Sequence, residues 1–389
     1  MALRALARVD LAAIERNCAR LRTVAGPGVS LCAVVKANGY GHGAVPVARA
    51  ALAGGASWLA VATPEEAAEL RAAGIDARLL LVGALSAAEL PLALEVDADV
   101  VAWRAPFVEA LRRGARGRPV RVHVKLDVGL GRLGTRDAEE LLAIAGQVDA
   151  APELELAGAM THLPCADEDP VVTREQIERF RAFGERLRTL RPDLVLHAAN
   201  SAATLGVPES GLDMVRCGIA IYGLDPFGVD PAAHGLEPAL ELRSYVAALK
   251  PLAPGESVGY GSTFTASDPT WIATLPIGYG DGWRRAFSNN AEVLIGGRRR
   301  PLVGRVSMEY VTVDVGPDPA GVAEGDEVVL IGRQGSERIL AEELARRIDT
   351  INYEITTALT RRPTRAYHRD GAPVESAEAA GGASRVTPA

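Results

Sequence analysis

Short apolar runs alternate with amphipathic stretches rich in Ala, Glu and Arg along the first 235 residues. This alternation is typical of repeated βα units, so we predict a parallel sheet with helices packed against it, after an opening helix over Leu11 to Val24. Eight apolar runs are predicted strands, the number that closes a (β/α)8 barrel. They are Leu31–Lys36, Trp58–Ala62, Arg78–Val82, Ala98–Ala102, Val120–Asp127, Leu154–Thr161, Leu194–Ala198 and Asp213–Gly218.

Helix-start signals fill the gaps between these runs, as at Thr63-Pro64-Glu65-Glu66, where proline takes the first helical position. Beyond residue 235 the segments become rich in Val, Thr, Tyr and Gly, which favours short antiparallel strands. The segments are Trp271–Ile277, Glu292–Ile295, Val311–Val315 and Glu327–Ile331, with one helix from Ala341 to Arg347. We therefore predict a barrel domain over 1–235, a mostly antiparallel β domain over 236–370, and a disordered tail over 371–389.

The composition is that of a globular enzyme and excludes several function classes. The 389 residues are 48% hydrophobic and 23% charged, and the formal net charge of -7 offers no basic face for nucleic acid. No apolar stretch approaches the ~18 residues of a membrane span, and residues 1–11 lack the apolar run of a signal peptide. Four cysteines without CxxC spacing (Cys18, Cys32, Cys165 and Cys217) predict neither a disulfide framework nor a metal site, and a cytoplasmic location is expected.

Polar residues with chemical potential fall at the carboxyl ends of the predicted barrel strands, the rim where barrel enzymes place their active sites. They are Lys36 after the first strand, Arg132 after the fifth, His162 after the sixth, Asn200 and Ser201 after the seventh, and Arg216 and Gly218 at the eighth. A single lysine in such a place is usually solvated or paired. Ser201 and Gly218, however, follow the two strands where barrels commonly bind phosphate. A lysine beside a phosphate cradle indicates pyridoxal phosphate, bound as a Schiff base.

A competing motif is Gly129-Leu-Gly131-Arg132-Leu-Gly134, which matches the GxGxxG pattern of dinucleotide-binding sites. Four βα units precede it, whereas a dinucleotide site opens its nucleotide-binding half. The bulky Arg132 would also lie in the loop that must approach a pyrophosphate. A dehydrogenase is therefore the weaker interpretation.

The segment Ala33-Val34-Val35-Lys36-Ala37-Asn38-Gly39-Tyr40-Gly41-His42-Gly43 resembles the cofactor-lysine segment of the alanine racemases. Further matching motifs follow in family order over nearly the whole chain. They begin at Lys125, Met160, His197, Val215, Val258, Ile277 and Ile351.

The resemblance implies a homodimer whose two subunits share each active site, with pyridoxal 5'-phosphate as cofactor. It implies that Lys36 forms an aldimine with the cofactor and serves as one base, while Tyr260 of the partner subunit serves as the other. Two bases are needed because racemisation removes a proton from one face of the α-carbon and returns one to the opposite face. A tyrosine needs nearby positive charge to act as a base at neutral pH.

The remaining implied roles surround the cofactor. Arg216 is expected to donate to the pyridine nitrogen and to be held by His162; because arginine keeps its proton, that nitrogen stays unprotonated. Arg132 and the backbone at Met308 are expected near the substrate carboxylate, and Lys125 matches a position that is carbamylated in some relatives. The residues expected around the phosphate and ring are Tyr40, Asn200, Ser201, Gly218, Ile219 and Tyr353.

One departure and three alternatives bear on the function. The family usually has Met-Asp where this chain has Met308-Glu309, so strict alanine specificity is the least secure implication, and a broad-specificity (serine) racemase is the nearest alternative. Related decarboxylases have glutamate at the pyridine nitrogen, which Arg216 argues against. Single-domain barrel proteins that only bind the cofactor lack the appended β domain. The resemblance also implies that the enzyme supplies D-alanine for peptidoglycan.

Other rim and core residues have ordinary explanations. Any one of Tyr40, Tyr260, Tyr279 and Tyr353, taken singly, fits a half-buried packing tyrosine. His42 and His197 are predicted to satisfy backbone groups near the site, and His123, His234 and His368 have no predicted role.

Overall fold

A computed structural model describes residues 3–319 and 321–374. Eight parallel strands form the first sheet, in the order β8-β7-β6-β5-β4-β3-β2-β9. All eight predicted barrel strands are confirmed, each to within two residues. Their bounds are β2 Ser30–Val34, β3 Trp58–Val61, β4 Arg78–Leu81, β5 Ala98–Ala102, β6 Val120–Lys125, β7 Leu154–Met160, β8 Val195–His197 and β9 Met214–Cys217.

The barrel closes between the two strands at the ends of this order. The Arg216 N–H of β9 donates to the Ala199 carbonyl just past β8, at 2.9 Å, and the Asp213 N–H donates to the Leu196 carbonyl at 3.0 Å. The apolar strand residues are almost fully buried, as a sheet covered by helices on its outer face requires.

Eleven helices are described, and several begin at side chains that cap their free N–H groups. Asp10 caps α1, Thr63 and Glu66 form a reciprocal capping box on α4, and Asn200 caps α9. The bounds are α1 Leu11–Ala25, α2 Lys36–Tyr40, α3 Ala44–Ala53, α4 Pro64–Ala72, α5 Leu90–Glu95, α6 Ala105–Gly114, α7 Ala138–Asp149, α8 Pro170–Arg188, α9 Ser201–Gly206, α10 Ala341–Arg347 and α11 Asn352–Thr357.

The second sheet is mostly antiparallel, with β19 paired to β18 and the remaining strands in the order β11-β14-β17-β16-β15-β18-β10-β1-β20-β21. Its strands are β1 Leu6–Asp10, β10 Leu240–Tyr245, β11 Ala248–Leu252, β14 Thr270–Leu275, β15 Glu292–Ile295, β16 Arg298–Val303, β17 Val311–Gly316, β18 Glu327–Gln334, β19 Glu337–Ile339, β20 Thr364–Arg369 and β21 Ala372–Pro373, and a separate hairpin joins β12 Ser257–Val258 to β13 Phe264–Thr265. Burial alternates along β10 and β17, which fits sheets with one face on the core.

The predicted domain limits need correction at their ends. Strand β1 pairs antiparallel with β10 and parallel with β20, so residues 6–10 lie in the second sheet and not in the barrel. At the other end, β21 carries the described structure past residue 370. Of the predicted tail, residues 375–389 lie outside the described residues. The division near residue 235 stays a prediction.

No helix in the described part of the chain is long and apolar enough to cross a membrane.

Candidate active site

A cavity of about 550 Å³ lies at the carboxyl-end rim of the barrel. Its lining includes ten residues that the sequence had singled out, namely Lys36, Tyr40, Arg132, His162, Asn200, Ser201, Arg216, Gly218, Ile219 and Tyr353, together with Lys125. The first nine come from the barrel, and Tyr353 comes from α11 of the second domain. Two predicted residues, Tyr260 and Met308, do not line this cavity.

Lys36 opens a one-turn segment of unusual handedness. Ala37, Asn38 and Tyr40 have φ values of 53°, 52° and 51°, a left-handed conformation that L-residues with a Cβ rarely adopt. Two polar contacts hold this turn: the Ala37 N–H donates to Glu66 Oε1 at 2.6 Å, and Asn38 Oδ1 accepts from the N–H of Ala44, where α3 begins. The turn brings both Lys36 and Tyr40 to the cavity.

The cavity is rich in positive charge, and this charge, together with burial, lowers the pKa values of several groups that line it. Burial and the nearby Arg132 lower the pKa of Lys36, while Glu66 opposes them. Burial, Arg216 and Arg132 lower the pKa of Lys125 to about 8. Burial and Arg216 likewise lower the pKa of His162 to about 3, so this imidazole is neutral at physiological pH. An anionic ligand would relieve the repulsion among these cations.

A cradle of N–H groups lies between the ends of β8 and β9. Ser201 Oγ accepts from the Gly218 N–H at 3.1 Å and from the Ala220 N–H at 3.3 Å, which leaves the serine proton free to donate. Ser201 is the first residue of α9, whose N-terminus is capped by Asn200. A Cβ on Gly218 would lie 2.4 Å from the Tyr40 hydroxyl, so only glycine fits there.

Two tyrosines complete the same side of the cavity. The ring of Tyr40 stacks on the ring of Tyr222, with centroids 4.9 Å apart. The ring centroid of Tyr353 lies 6.1 Å from that of Tyr40. Burial raises the pKa of both Tyr40 and Tyr353 above the ordinary value, so their hydroxyls stay protonated and available as donors.

The expected contact between Arg216 and His162 is wrong. Arg216 donates to His197 Nδ1 at 2.8 Å and to the carbonyls of Thr161, His197 and Ala198 at 2.6 to 3.1 Å. His197 was predicted only to satisfy backbone groups, yet its side chain has this central contact because it ends β8, next to β9. His162 lines the cavity but makes no hydrogen bond to Arg216. Burial lowers the pKa of Arg216 to about 10, so the guanidinium stays charged at neutral pH.

The GxGxxG segment forms a loop around a carboxylate. Asp127 accepts from the N–H groups of Gly129 and Gly131 at 3.0 to 3.1 Å and from Arg136 Nε at 3.0 Å. A Cβ on Gly134 would lie 3.0 Å from the Lys125 carbonyl. The glycines therefore permit a tight loop that carries Arg132 into the cavity.

Sequence reasoning missed two residues that shape the rim, Glu66 and Asp127. Glu66 stood inside the recognised helix-start motif, which gave it no role at the site, and only the fold brings it to Ala37. Asp127 directly precedes the glycine-rich loop, and the ability of its side chain to accept from following N–H groups was the available signal.

Tyr260 and Met308 lie on the surface, with 74% and 52% of their area exposed. Tyr260 lines a separate, shallower cavity with Gly259, Arg305, Ser307, Tyr310 and Thr312. Large apolar side chains are also exposed at Tyr279, Tyr310 and Ile351. The single chain therefore does not bring Tyr260 to Lys36.

Glu309, where the chain departs from the family pattern, lies in an ion cluster beside Met308. Arg362 binds both of its carboxylate oxygens, at 2.6 and 3.1 Å, and Arg4 also contacts it. Hydrogen bonding from Arg362 is the largest cause that lowers the pKa of Glu309; burial opposes it, and the charge of Arg4 lowers the pKa further. The same two arginines pair with the buried Asp281.

Comparisons with known proteins match the chain along most of its length. Residues 9–226 match the family model described as "Alanine racemase, N-terminal domain", and residues 239–367 match "Alanine racemase, C-terminal domain". An alanine racemase of Symbiobacterium thermophilum is 45% identical over 93% of this chain and 96% of its own length. One of Geobacillus stearothermophilus is 42% identical over 93% of each chain. The crystal structure of the Bacillus anthracis alanine racemase superimposes with a TM-score of 0.88 at 38% identity, covering 95% of this chain and 96% of that one.

Proposed function

The chain belongs to the alanine racemase family, and from this premise we propose how its residues interconvert L-alanine and D-alanine. The protein is an isomerase that depends on pyridoxal 5'-phosphate, as the family is. The assignment of individual residues to the reaction is our proposal. The observation that carries it is the meeting, in one rim cavity, of the half-buried Lys36, the Ser201 hydroxyl beside Gly218, and an arginine held by histidine.

The residues present fit the cofactor. The Ser201, Gly218 and Ile219 segment would hold its phosphate, because the Ser201 hydroxyl proton is free to donate there and Gly218 has no Cβ to fill the space. The hydroxyls of Tyr40 and Tyr353, protonated in this environment, would donate to the same phosphate, and Asn200 supports them by capping α9. When bound, the cofactor supplies an electron-withdrawing ring that makes the α-proton of the amino acid removable.

Lys36 would hold the cofactor aldehyde and serve as one of the two bases. A base must carry a free electron pair, and the lowered pKa of Lys36, caused by burial and by Arg132, favours the neutral amine. Arg132, carried into the cavity by the loop around Asp127, would orient the substrate carboxylate. We propose the Met308 backbone N–H for the same carboxylate. The pKa of Lys125, lowered to about 8, increases the fraction of neutral amine, the form that carbamylation requires.

Arg216 would face the pyridine nitrogen of the cofactor. A guanidinium has donors only, so it leaves that nitrogen unprotonated and limits how much negative charge the ring accepts. Protonation at the α-carbon is thereby favoured over protonation elsewhere. The neutral His162 lines the same cavity without adding charge.

Tyr260 of the partner subunit would be the second base, in a homodimer. The support is that the resemblance assigns this role to Tyr260, which is 74% exposed and does not line the cavity around Lys36 in its own chain. The α-proton leaves to one base, and the other base delivers a proton to the opposite face; the reverse reaction exchanges the two roles. Exposed Met308, Tyr310 and Ile351 fit a surface that a second copy covers.

The relatives favour alanine over serine as the substrate, since those compared are named alanine racemases at 38 to 45% identity. We propose that the product D-alanine supplies peptidoglycan synthesis. We also propose a cytoplasmic location, which the four unpaired cysteines support.

The test is chiral chromatography of the reaction when the protein, loaded with pyridoxal 5'-phosphate, meets each of a panel of L-amino acids. L-alanine should approach an equal mixture of the two forms, with serine and larger amino acids converted at least about tenfold more slowly, as a pocket shaped for one methyl group allows. Absence of any conversion of alanine by the loaded protein would contradict the proposal. Equal rates for serine would favour the broad-specificity alternative.

A further inference from the structure

A line of polar side chains crosses the interior of the barrel, starting at the active-site cavity. Arg216 contacts His197 Nδ1 at 2.8 Å, His197 Nε2 lies 2.8 Å from His123 Nδ1, and His123 Nε2 lies 3.0 Å from an Asp99 oxygen. These residues come from four strands, β9, β8, β6 and β5, and none is more than 5% exposed. Barrel interiors are normally filled by apolar side chains, so four linked polar groups need an explanation.

The chemistry of the two ends fixes the direction of every hydrogen bond between them. Arg216 can only donate, so His197 Nδ1 must accept, and the His197 proton lies on Nε2. His197 therefore donates to His123 Nδ1, and His123 donates from Nε2 to Asp99. Burial and the charge of Arg216 lower the pKa of His197 well below its usual range, which keeps this imidazole neutral.

Asp99 is held as an ionised acceptor at the far end. Burial acts to raise its pKa, but hydrogen bonds from His123 and Arg121 and the charge of Arg78 outweigh burial and lower it. Arg121 Nε lies 2.6 Å and Arg78 2.8 Å from the carboxylate. The Arg78 guanidinium in turn lies 4.0 Å from the ring centre of Trp58.

His123 has little freedom to turn away from this line. The Trp58 ring contacts it edge-on, with centroids 5.8 Å apart. On the other side, a Cβ on Gly158 would lie 2.5 Å from His123 Nδ1, so glycine is required for the imidazole to fit. The geometry is therefore rigid from the cavity to the opposite end of the barrel.

We propose that Asp99 and His123 are positioning residues for the racemase reaction: through His197 they fix the donor directions of Arg216. This inference rests on the proposed role of Arg216. If Asp99 were lost, the Arg78 and Arg121 donors would face His123 Nε2. This nitrogen would then have to accept, which reverses the donor and acceptor roles along the whole line. His197 would have to present Nδ1–H to the arginine, and two donors would meet.

The first test measures the histidine tautomers of the wild-type protein. The chain has six histidines, so selective ¹⁵N-histidine labelling of the cofactor-free protein gives a small set of imidazole signals that single substitutions can assign. His123 and His197 should both carry their ring proton on Nε2. An Nδ1–H tautomer at either residue would overturn the proposal, whether or not the protein is a racemase.

The second test changes the end of the line. Asp99→Ala should convert His123 to the Nδ1–H tautomer or place it in exchange between the two tautomers. Asp99→Asn retains an acceptor oxygen, so it should keep His123 in the Nε2–H tautomer. In the loaded enzyme, kcat of Asp99→Ala should fall about 10-fold to 100-fold with little change in KM, the range typical of residues that orient a functional histidine.

Two controls separate positioning from general destabilisation. Asp97→Asn removes a carboxylate that also pairs with Arg121 but does not contact His123, and Val100→Ala opens a small cavity in the same strand. Both should retain the wild-type tautomers and kcat. Unchanged tautomers in Asp99→Ala, or an equal loss of kcat in Val100→Ala at matched stability, would refute the positioning role. If Asp99→Ala does not fold, the wild-type tautomer measurement still tests the proposal, because an Nδ1–H tautomer at His123 or His197 would overturn it.

Discussion

Lys36 is one of only three lysines in the chain, and the three occupy different environments. Lys36 and Lys125 line the rim cavity, whereas Lys250 is exposed on β11. The position of Lys36 at the end of a barrel strand was predictable from the apolar run before it. The lowered pKa of Lys36 was not predictable, because it depends on burial and on Arg132, which the fold brings from a loop almost 100 residues away.

Borohydride reduction of the loaded protein, followed by peptide mapping, should attach the cofactor to Lys36 and leave Lys125 and Lys250 unmodified. Lys36→Ala should lose at least about 10³-fold of the activity, as loss of a covalent and proton-transferring group does, with the circular dichroism spectrum retained. Lys250→Ala is the matched control and should have wild-type activity. Labelling at Lys125 alone, or loss of folded structure in step with activity, would count against the assignment.

Arg216→Glu should lower racemisation and raise the pyruvate formed per racemisation event. A carboxylate beside the pyridine nitrogen would let that nitrogen hold a proton, so more negative charge enters the ring and protonation goes astray. Pyruvate is measured with a coupled dehydrogenase while D-alanine is the substrate. Arg298→Glu, a charge reversal at an exposed position on β16, is the control and should leave the ratio at the wild-type value. The electrostatic role fails if the ratio in folded Arg216→Glu stays there too.

At the scale of elements, the regular part of the fold follows from local sequence. Continuous apolar runs between capped helices specify the barrel strands, because each strand is buried on both faces. Strand β1 was not predictable from the pattern of its neighbours: the pairing that places it in the second sheet is to β10 and β20, more than 200 residues away. The left-handed turn after Lys36 escaped prediction for the same reason, since Glu66 of another βα unit holds it.

The turn at Gly218 gives a prediction for cofactor binding. In Gly218→Ala the new Cβ would lie 2.4 Å from the Tyr40 hydroxyl and displace it, so the dissociation constant for pyridoxal 5'-phosphate should rise about tenfold or more, the loss of roughly one hydrogen bond to an anion. Equilibrium dialysis measures this directly. Gly146→Ala is the control, because nothing lies within 4 Å of its added Cβ, and its affinity should be unchanged. Equal affinity in both variants would remove Gly218 from the cradle.

Helix α10 carries a buried carboxyl that links the two domains. Glu342 is 1% exposed, and one of its oxygens accepts from the Asp225 N–H and from Asn352, both at 2.9 Å. Burial raises its pKa despite these contacts. A carboxyl whose pKa is raised in the folded state stabilises the protein fully below its unfolded pKa of ~4.3, and this contribution is lost as the pH rises through the folded value.

Glu342→Gln should therefore lose less thermal stability than the wild type when the pH is raised from 5 to 8, as followed by circular dichroism. Its neighbour Glu343 is the control of opposite sign. Burial alone would raise the pKa of Glu343, but hydrogen bonds from Arg299 and Arg347 lower it, so Glu343→Gln should lose stability at neutral pH and converge on the wild type in acid. The same pH dependence in wild type and Glu342→Gln would show that Glu342 does not titrate in this range.

At the scale of the whole molecule, the sequence motifs predicted both proposed bases, but a single chain brings only one of them to the active-site cavity. Lys36 lies in the barrel cavity, and Tyr260 lies exposed in the second domain. No local pattern could show this separation, because it depends on how the two domains pack. The exposed surface around Tyr260, Met308 and Tyr310 is where we propose that a second copy packs.

The shared site is tested most directly by mixing two inactive variants, Lys36→Ala and Tyr260→Ala, under conditions that exchange subunits. A mixed dimer has one site with both defects and one site with neither. Random exchange of equal amounts makes about half of the dimers mixed, each with one intact site of two, so racemase activity should recover to roughly a quarter of the wild-type value. If native mass spectrometry shows that mixed dimers have formed and the mixture remains as inactive as its parents, Tyr260 does not act across the subunit boundary and the account is contradicted.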